Sequence, residues 1–174
     1  MENEASPKIE TFEALYRDYF ASIYNYIYFR LGNHTEAEDL TADIFMRAYE
    51  YWSSFDEQKG AVRSWLGGIA RNMVNTHFRK KMSKPQVVDI SDLLDPVRAD
   101  VNIEDDYQNK EATELLLLQM NKLPEQHREL LAMKYFLGMT NRDIAKTTGM
   151  SESSVGVTVY RILGRLRKEL LDKV

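Results

Sequence analysis

Residues 141–160, NRDIAKTTGMSESSVGVTVY, contain the sharpest local pattern in the chain. Ala145 is small, as the first of two closely crossing helices requires, and Gly149 follows four residues later, where a tight turn needs a positive φ. Ser151 can cap a second helix, and Val155 is placed to fill the angle between the two. The stretch therefore predicts a helix-turn-helix, although an ordinary helical hairpin can show the same spacing of small residues.

The second helix of this motif separates a buried stripe from an open face. In DNA-binding proteins of this kind the second helix lies in the major groove, with its N-terminal residues at base edges. Arginines at positions 161, 165 and 167 are placed to reach phosphates, which favours DNA binding over a plain hairpin. The expected buried stripe is Val155, Val159, Ile162, Leu166 and Leu170.

The chain before the motif also has helical spacing, without strand-like alternation. Gly32-Asn33 is expected to end a first helix, because both residues tolerate the left-handed cap conformation. Thr35 is the expected cap of the second, with Glu38 completing a capping box. The expected inward residues of the first helix are Phe12, Leu15, Tyr16, Tyr19, Phe20, Ile23, Tyr24, Ile27 and Leu31, and those of the second are Leu40, Ile44, Ala48 and Trp52.

A third helix is expected over about residues 62–81, and a further one over about residues 124–137. Gly67-Gly68 in the third helix costs about 1 kcal/mol per glycine relative to alanine, which indicates close helix packing or backbone approach there. The expected inward residues are Trp65, Ile69, Met73 and Phe78 in the third helix and Leu130, Leu131 and Tyr135 in the later one.

Residues 83–105 lose this periodicity, contain Pro85 and Pro96, and are interpreted as a linker. The sequence therefore predicts an all-α fold of two small helical domains, residues 1–82 and 106–174, joined by a flexible acidic linker.

Charge alternates along the chain in four blocks. Residues 35–57 hold seven acids and one base, residues 61–82 five bases and no acid, and residues 83–106 seven acids and two bases. The last helix is basic again. Each block alone is compatible with a solvated helix face, but four alternating blocks indicate more than one polyanionic or protein partner.

Composition excludes several classes of function. The 174 residues include no cysteine, which excludes disulfides, thiolate catalysis and cysteine-ligated metals. No apolar run has the length of a membrane span or resembles a secretory signal, so a cytoplasmic protein without membrane insertion is expected. His34, His77 and His127 are scattered, and no phosphate-binding glycine loop or GxSxG motif is present, so no enzyme and no cofactor are expected.

Two segments resemble a known family. EAEDLTADIFMRAYEYWSSFD (36–56), followed by SWLGGIARNMVNTHFRKK (64–81), resembles region 2 of bacterial RNA polymerase sigma factors of the extracytoplasmic-function group. LPEQHRELLAMKYFLGMTNRDIAKTTGMSESSVGVTVYRILGRLRKEL (123–170) resembles their region 4. The resemblance covers about residues 9–82 and 106–172 and implies a subunit that directs core RNA polymerase to specific promoters to initiate transcription.

The resemblance implies partners and site residues. Core polymerase would be bound through the clamp helices of its largest subunit and through its flap, promoter DNA at the minus-ten and minus-thirty-five elements, and an anti-sigma factor as inhibitor. The implied core-binding residues are Asp39, Leu40, Asp43, Ile44, Arg47 and Ala48. The implied minus-ten residues are Trp52, Phe55, Arg63, Trp65, Arg71, Asn72, Asn75, Arg79 and Lys80. The expected minus-thirty-five residues are Asn141, Ser151, Glu152, Ser153, Ser154, Thr158, Arg161 and Arg165.

Some alternatives remain open at this stage. Many members of the family carry Lys and Arg where this chain has Gly156 and Thr158, so upstream readout would rest on other residues and on DNA shape. Both tryptophans can be core residues instead of stacking platforms. A divalent-metal site at Glu36, Asp39 and Asp43 is disfavoured because one helix rarely surrounds an ion. The runner-up function is a stand-alone helix-turn-helix regulator that dimerises through its N-terminal helices.

Overall fold

The structure is a computed structural model that describes residues 11–83 and 118–171. Its helices are α1 (Phe12–Leu31), α2 (His34–Tyr51), a 3₁₀ turn (Trp52–Ser54), α3 (Val62–Met82), α4 (Glu125–Tyr135), α5 (Asn141–Thr148) and α6 (Glu152–Leu171). No strand occurs in these two ranges, in agreement with the expected all-α class. The chain divides into two compact units, residues 1–88 and 89–174. The linker from Lys84 onward and the expected domain boundary at residues 105–106 lie outside the described residues.

Local capping fixes the start and end of α1 and the start of α2. The Thr11 hydroxyl accepts a hydrogen bond from the Ala14 amide at 3.2 Å, and Gly32 ends α1 with φ +70°, as the sequence predicts. The expected cap at Thr35 is wrong. Asn33 caps α2 through its side chain, which accepts from the Glu36 amide at 2.8 Å, so the helix begins two residues earlier.

The first unit is a three-helix packing around aliphatic side chains. Its buried core contains Leu15, Ile23 and Ile27 of α1, Ile44 of α2 and Leu66 of α3, and each of these helices contacts the other two. Two residues of the expected α1 stripe, Tyr16 and Phe20, are exposed instead. Their rings lie on the outside of the α1–α2 contact, 4.9 and 6.0 Å from the ring of Phe45, so they cover the core at its rim.

The inward face of α3 differs from the expected one. Its buried residues are Val62, Leu66, Gly67, Ala70 and Val74, whereas Trp65, Ile69, Met73 and Phe78 are only half-buried. Most members of both sets follow one another at four residues, and the smaller side chains occupy the contact with α1 and α2. The close approach expected at Gly67-Gly68 is absent at Gly68, where an added Cβ would meet no atom within 4 Å.

The second unit contains the helix-turn-helix that the sequence predicts. Gly149 ends α5 with φ +78°, and Ala145 and Val155 are buried where α5 and α6 meet. The buried stripe of α6 is confirmed at Val155, Val159, Ile162 and Leu166, while Leu170 is half-buried. Helix α4 packs on α6 and buries Leu130 and Leu131.

Two expectations for α4 are wrong. Tyr135 is exposed, not inward. Pro124 precedes the helix as its N-cap residue instead of lying in its first turn.

Candidate nucleic-acid and protein interfaces

The six residues expected to bind core polymerase divide between two sides of α2. Leu40, Ile44 and Ala48 are buried in the core of the first unit, so they hold the helix in place. Asp39, Asp43 and Arg47 are exposed. A single residue step turns a helix by about 100°, which explains how adjacent residues of one motif have different surroundings.

The exposed side of α2 is acidic with an apolar centre. Met46 is 66% exposed and shares the helix face of Asp39 and Asp43, because it follows them by seven and three residues. Arg47 lies 3.8 Å from Glu50, and its guanidinium stands 5.2 Å from the centre of the Tyr51 ring. We call Asp39, Asp43, Met46 and Glu50 the α2 outer face. Sequence reasoning missed Met46, although its spacing from the two aspartates was the available signal.

Three aromatic rings gather at the junction between the 3₁₀ turn and α3. The Trp52 ring stacks on Phe55 with centroids 5.6 Å apart, and Trp65 lies 5.1 Å from Phe55 and 6.0 Å from Trp52. All three are half-buried. The tryptophans are therefore neither fully core residues nor free stacking platforms: they pack together and also present ring surface to solvent. The cluster ties the loop that contains Phe55 to the first turn of α3.

The solvent-facing side of α3 is polar and basic. Asn72, Arg79 and Lys80 are exposed, and Arg71 is half-buried. The Arg79 Nη2 donates to the Thr76 hydroxyl at 3.0 Å, which orients its side chain along the helix. Together with Trp65 these residues place rings, an amide and cations on one helix, a combination that suits unpaired bases and their phosphates.

Asn75 is bound by a structural arginine. Arg30 is buried, and its Nη2 donates to the Asn75 Oδ1 at 3.0 Å while its Nη1 donates to the Tyr26 hydroxyl at 2.8 Å. The guanidinium also stands 5.5 Å from the centre of the Phe78 ring. These contacts compensate a buried charge and join α1 to α3, so the Asn75 carbonyl oxygen is engaged within the protein.

Arg63 and Lys81 lie at opposite ends of α3 and have different surroundings. The Arg63 Nε is buried and has no hydrogen-bond partner among the described residues. Arg63 lies near Tyr19, where burial raises the pKa of the phenol and the arginine charge opposes that shift. At the other end, Glu36 of α2 accepts from Lys81 Nζ at 3.0 Å and lies 3.1 Å from His77 Nε2.

The Glu36 carboxylate is the electrostatic link between α2 and α3. Burial acts to raise its pKa, but the hydrogen bonds and charges of Lys81 and His77 outweigh burial and hold the pKa below its ordinary value. Glu36 therefore faces α3, whereas Asp39 and Asp43 are exposed on α2. Within residues 11–83 and 118–171, no group of three or more His, Asp or Glu side chains is placed to hold a metal ion.

The start of α6 is built by serine and asparagine contacts. The Ser151 hydroxyl accepts from the Ser154 amide at 3.1 Å, which confirms the expected cap. Glu152 pairs with Arg142 at 3.6 Å, across the turn. Asn141 accepts from Lys134 Nζ at 2.9 Å, and its Nδ2 lies 3.2 Å from the position that a Cβ at Gly156 would occupy. A glycine at 156 therefore leaves room for the Asn141 amide beside α6.

Arg161 and Arg165 line a cleft between α6 and the residues around the start of α4. The cleft has a volume of about 250 Å³, and its other walls include His127 and Thr158. The Arg165 Nε donates to Glu169 at 2.7 Å, and both Arg161 and Arg165 are exposed. The remaining expected residues of the motif, Ser153 and Ser154, are exposed at the helix start.

Two apolar residues lie on the exposed side of α6, and neither is among the expected minus-thirty-five residues. Val157 is 48% exposed and Tyr160 is 79% exposed. They occur three residues apart, and both fall between members of the buried stripe, which was the signal available to place them outside. The outer side of the motif is therefore less polar than its serines and arginines suggest.

Two protein families match separate parts of this chain. The sigma-70 region 2 family matches residues 15–84, and the sigma-70 region 4 family matches residues 113–166. The ECF RNA polymerase sigma factor SigW of Bacillus subtilis is 30% identical over 167 residues, which cover 91% of this chain and 86% of SigW. This chain belongs to the ECF RNA polymerase sigma factors. The resemblance found in the sequence is thereby confirmed.

Other members of the sigma family give the extent of the likeness. The ECF sigma factor BldN of Streptomyces coelicolor is 28% identical over 172 residues, or 99% of this chain, and the chain spans 65% of the length of BldN. The sigma factor RpoE from Bartonella quintana, solved in complex with the anti-sigma factor NepR, has the same fold with a TM-score of 0.68 and 20% identity, covering 93% of this chain and 98% of RpoE.

Membership in the sigma family decides between the two functions left open by the sequence. A sigma factor acts in transcription initiation by RNA polymerase, and the stand-alone regulator is set aside. No helix among residues 11–83 and 118–171 combines the length and the apolarity that a membrane crossing needs.

Proposed function

We propose that this sigma factor divides promoter recognition between its two units and holds core polymerase through the first. The observation that carries the proposal is the presence of two exposed faces of opposite charge on neighbouring helices: the acidic α2 outer face, and the aromatic and basic side of α3. One face suits a basic protein surface and the other suits nucleic acid. A regulator that binds DNA alone has no use for the first.

The α2 outer face is the proposed docking site for the clamp helices of core polymerase. Asp39 and Asp43 supply charge, and Met46 supplies apolar contact area between Asp43 and Glu50. Leu40, Ile44 and Ala48, which are buried, act by fixing the position of α2. Arg47, held by Glu50 and Tyr51, borders the same surface.

The aromatic cluster and the polar side of α3 are the proposed site for opening the minus-ten element. Flipping a base out of a duplex costs a few kcal/mol, which ring stacking and hydrogen bonds to the exposed base must offset. Trp52, Phe55 and Trp65 supply half-exposed rings, and Asn72 supplies an exposed amide. Arg71, Arg79 and Lys80 supply phosphate contacts, while Arg63 and Asn75 act through the packing of α3.

The helix-turn-helix is the proposed reader of the minus-thirty-five element. Ser151, Glu152, Ser153 and Ser154 stand at the start of α6, where this motif places residues at base edges. Asn141, Thr158, Arg161 and Arg165 border them, and the two arginines are placed for phosphate or base contacts. The second unit is also the proposed contact for the polymerase flap.

Three further proposals complete the function. The chain carries out no chemistry of its own, since its exposed sites offer binding groups and core polymerase synthesises RNA. It acts in the cytoplasm, where bacterial polymerase works. It has an anti-sigma factor as inhibitor, a proposal supported by the RpoE fold, which was solved with NepR bound.

Reversal of charge on the α2 outer face tests the docking site. We expect Asp39→Arg combined with Asp43→Arg to abolish capture of purified core polymerase by the tagged chain, because both side chains are exposed and their loss leaves the core intact. The matched control is Glu13→Arg combined with Asp18→Arg, which makes the same change of net charge on exposed residues of α1. Retained capture by the α2 double variant would remove the docking assignment.

A further inference from the structure

The residues on the DNA-facing side of α6 limit which groups of a base pair this helix can recognise. Its buried stripe is Val155, Val159, Ile162 and Leu166. A helix turns by about 100° per residue, so the face opposite this stripe consists of Ser153, Val157, Tyr160, Arg161, Gly164 and, near the end of the helix, Lys168. In a helix-turn-helix this opposite face enters the major groove.

Little on this face can form a bidentate hydrogen bond with a base. Arg161 is its only guanidinium or carboxamide side chain. Ser153 has one hydroxyl and does not discriminate strongly among bases. Asn141 lies beside Gly156, but its carbonyl oxygen accepts a hydrogen bond from Lys134. Most of this helix face therefore lacks side chains that can identify a base by its hydrogen-bond donors and acceptors in the major groove.

Val157 and Tyr160 supply apolar contact at the centre of the same face. They are 48% and 79% exposed, and they lie one turn apart. Single exposed apolar residues are common on protein surfaces. Here two of them lie side by side on the face that this motif turns toward DNA. The thymine methyl is the one apolar group that a base pair presents in the major groove, so it is the group on DNA that these two side chains can pack against.

We propose that Val157 and Tyr160 select thymines in the upstream promoter element by packing against their C5-methyl groups. The proposal rests on the proposed function of the second unit as reader of the minus-thirty-five element. Arg161 fixes the position of α6 on the duplex, and the two apolar side chains determine which base pairs are accepted. The upstream element of this sigma factor is accordingly rich in A·T pairs under these two residues.

Uracil in place of thymine tests the proposal, because it removes only the methyl group and keeps base pairing. Holoenzyme made from core polymerase and the full chain first selects an upstream element from promoter duplexes randomised at that site. Each thymine of the selected element is then replaced by deoxyuridine in a linear probe. We expect a loss of affinity of about fourfold for each contacted methyl, which corresponds to about 0.8 kcal/mol for one buried methyl-sized group.

Variants then assign the contacts. Val157→Ala and Tyr160→Ala each lose discrimination between thymine and uracil at one position, whereas Tyr160→Phe keeps it because the ring remains. Leu163→Ala is the matched control, since Leu163 is 39% exposed on the same helix but outside the DNA-facing side, and it keeps discrimination at every position.

Three results would overturn the thymine proposal while leaving the proposed function intact. The first is a selected element without thymine in either strand. The second is unchanged affinity for every deoxyuridine probe. The third is an equal loss in wild type and in both alanine variants. A holoenzyme that selects no upstream element at all would overturn the proposed function itself, and with it the readout by Val157 and Tyr160.

Discussion

One backbone conformation sets the angle of the helix-turn-helix. Gly149 has φ +78°, and its amide donates to the Ala145 carbonyl at 2.9 Å, which closes α5 before the chain turns into α6. The left-handed region is accessible to glycine at no steric cost but is strained for residues with a Cβ. The position of the two helices therefore depends on a residue at which an added Cβ would meet no atom within 4 Å, so the requirement for glycine is conformational.

Gly149→Ala is expected to destabilise the second unit by about 1–2 kcal/mol, the cost of the left-handed conformation for a residue with a Cβ. The measurement is native-state hydrogen exchange at the Val155 and Val159 amides, which reports on α6. Gly164→Ala is the control, because Gly164 is helical and exposed and a Cβ there meets no atom within 4 Å. That variant should be neutral or more stable. Equal protection in both variants would show that alanine at position 149 is not strained in this turn.

Glu36 predicts a dependence of stability on pH in the first unit. Its pKa in the folded state lies below the ordinary value of 4.5, so the contribution of the carboxylate is present at neutral pH and is lost as the pH falls through 4.5 and below the folded-state pKa. We expect Glu36→Gln to be less stable than wild type at pH 7 and to lose less stability on acidification. The check is thermal unfolding of both proteins between pH 7 and pH 3; parallel curves would contradict the assignment.

At the scale of elements, contacts from α1 and α2 hold α3 in position, so the exposed residues of α3 are oriented together. Arg30 joins α1 to α3 by its bonds to Tyr26 and Asn75, and Glu36 joins α2 to α3 by its contacts with His77 and Lys81. Both contacts orient the exposed side of α3. Gly68 belongs to that side, since it follows Trp65 by three residues and precedes Asn72 by four, and it leaves the helix surface open between them.

Alanine at both Arg71 and Asn72 is expected to impair promoter opening more than core association, because the two residues belong to α3, the helix proposed to contact the minus-ten element, and not to α2. The measurement is permanganate reactivity of thymines in the minus-ten element, compared with core capture by the same variant. Arg17→Ala with Asn25→Ala is the control, as it removes the same residue types from α1. A variant with normal opening, or with core capture and opening reduced in parallel, would contradict the division of labour between α2 and α3.

The sequence predicted elements better than it predicted their faces. The helix-turn-helix was predictable because Gly149 and Ser151 act locally, through a positive φ and a helix cap. The inward face of α3 was not, since two stripes with the same spacing compete and only tertiary packing favours Ala70 over the larger Trp65. The cap at Asn33 replaced Thr35 for a similar reason, as either residue type can cap a helix.

The residue types of the candidate site were predictable from the sequence, but which of them are buried or bonded within the protein was not. Asp39 and Asp43 are exposed as the docking hypothesis requires, yet their neighbours Leu40 and Ile44 are in the core. The bond between Arg30 and Asn75 joins residues far apart in the chain, and no local pattern signals it. Val157 and Tyr160 were left out of the expected DNA-binding residues because apolar side chains lack the hydrogen-bonding groups that usually indicate DNA contact.

At the scale of the whole molecule, the two units carry their charges in a pattern that suits action within a larger assembly. The chain has a net charge of −4, and its basic residues are concentrated on α3 and α6. A small number of basic residues and an overall negative charge are expected to give the isolated chain weak DNA binding. Core polymerase is expected to supply the remaining affinity, so promoter specificity belongs to the holoenzyme.

In vitro transcription with purified core polymerase on a genomic DNA library, with the start sites mapped, tests the central claim most directly. The account predicts that the chain joins core polymerase and directs RNA synthesis to a discrete set of start sites, each preceded by shared minus-ten and minus-thirty-five elements, and that the Asp39→Arg, Asp43→Arg variant yields none of them. Start sites that are the same with and without the chain would contradict it.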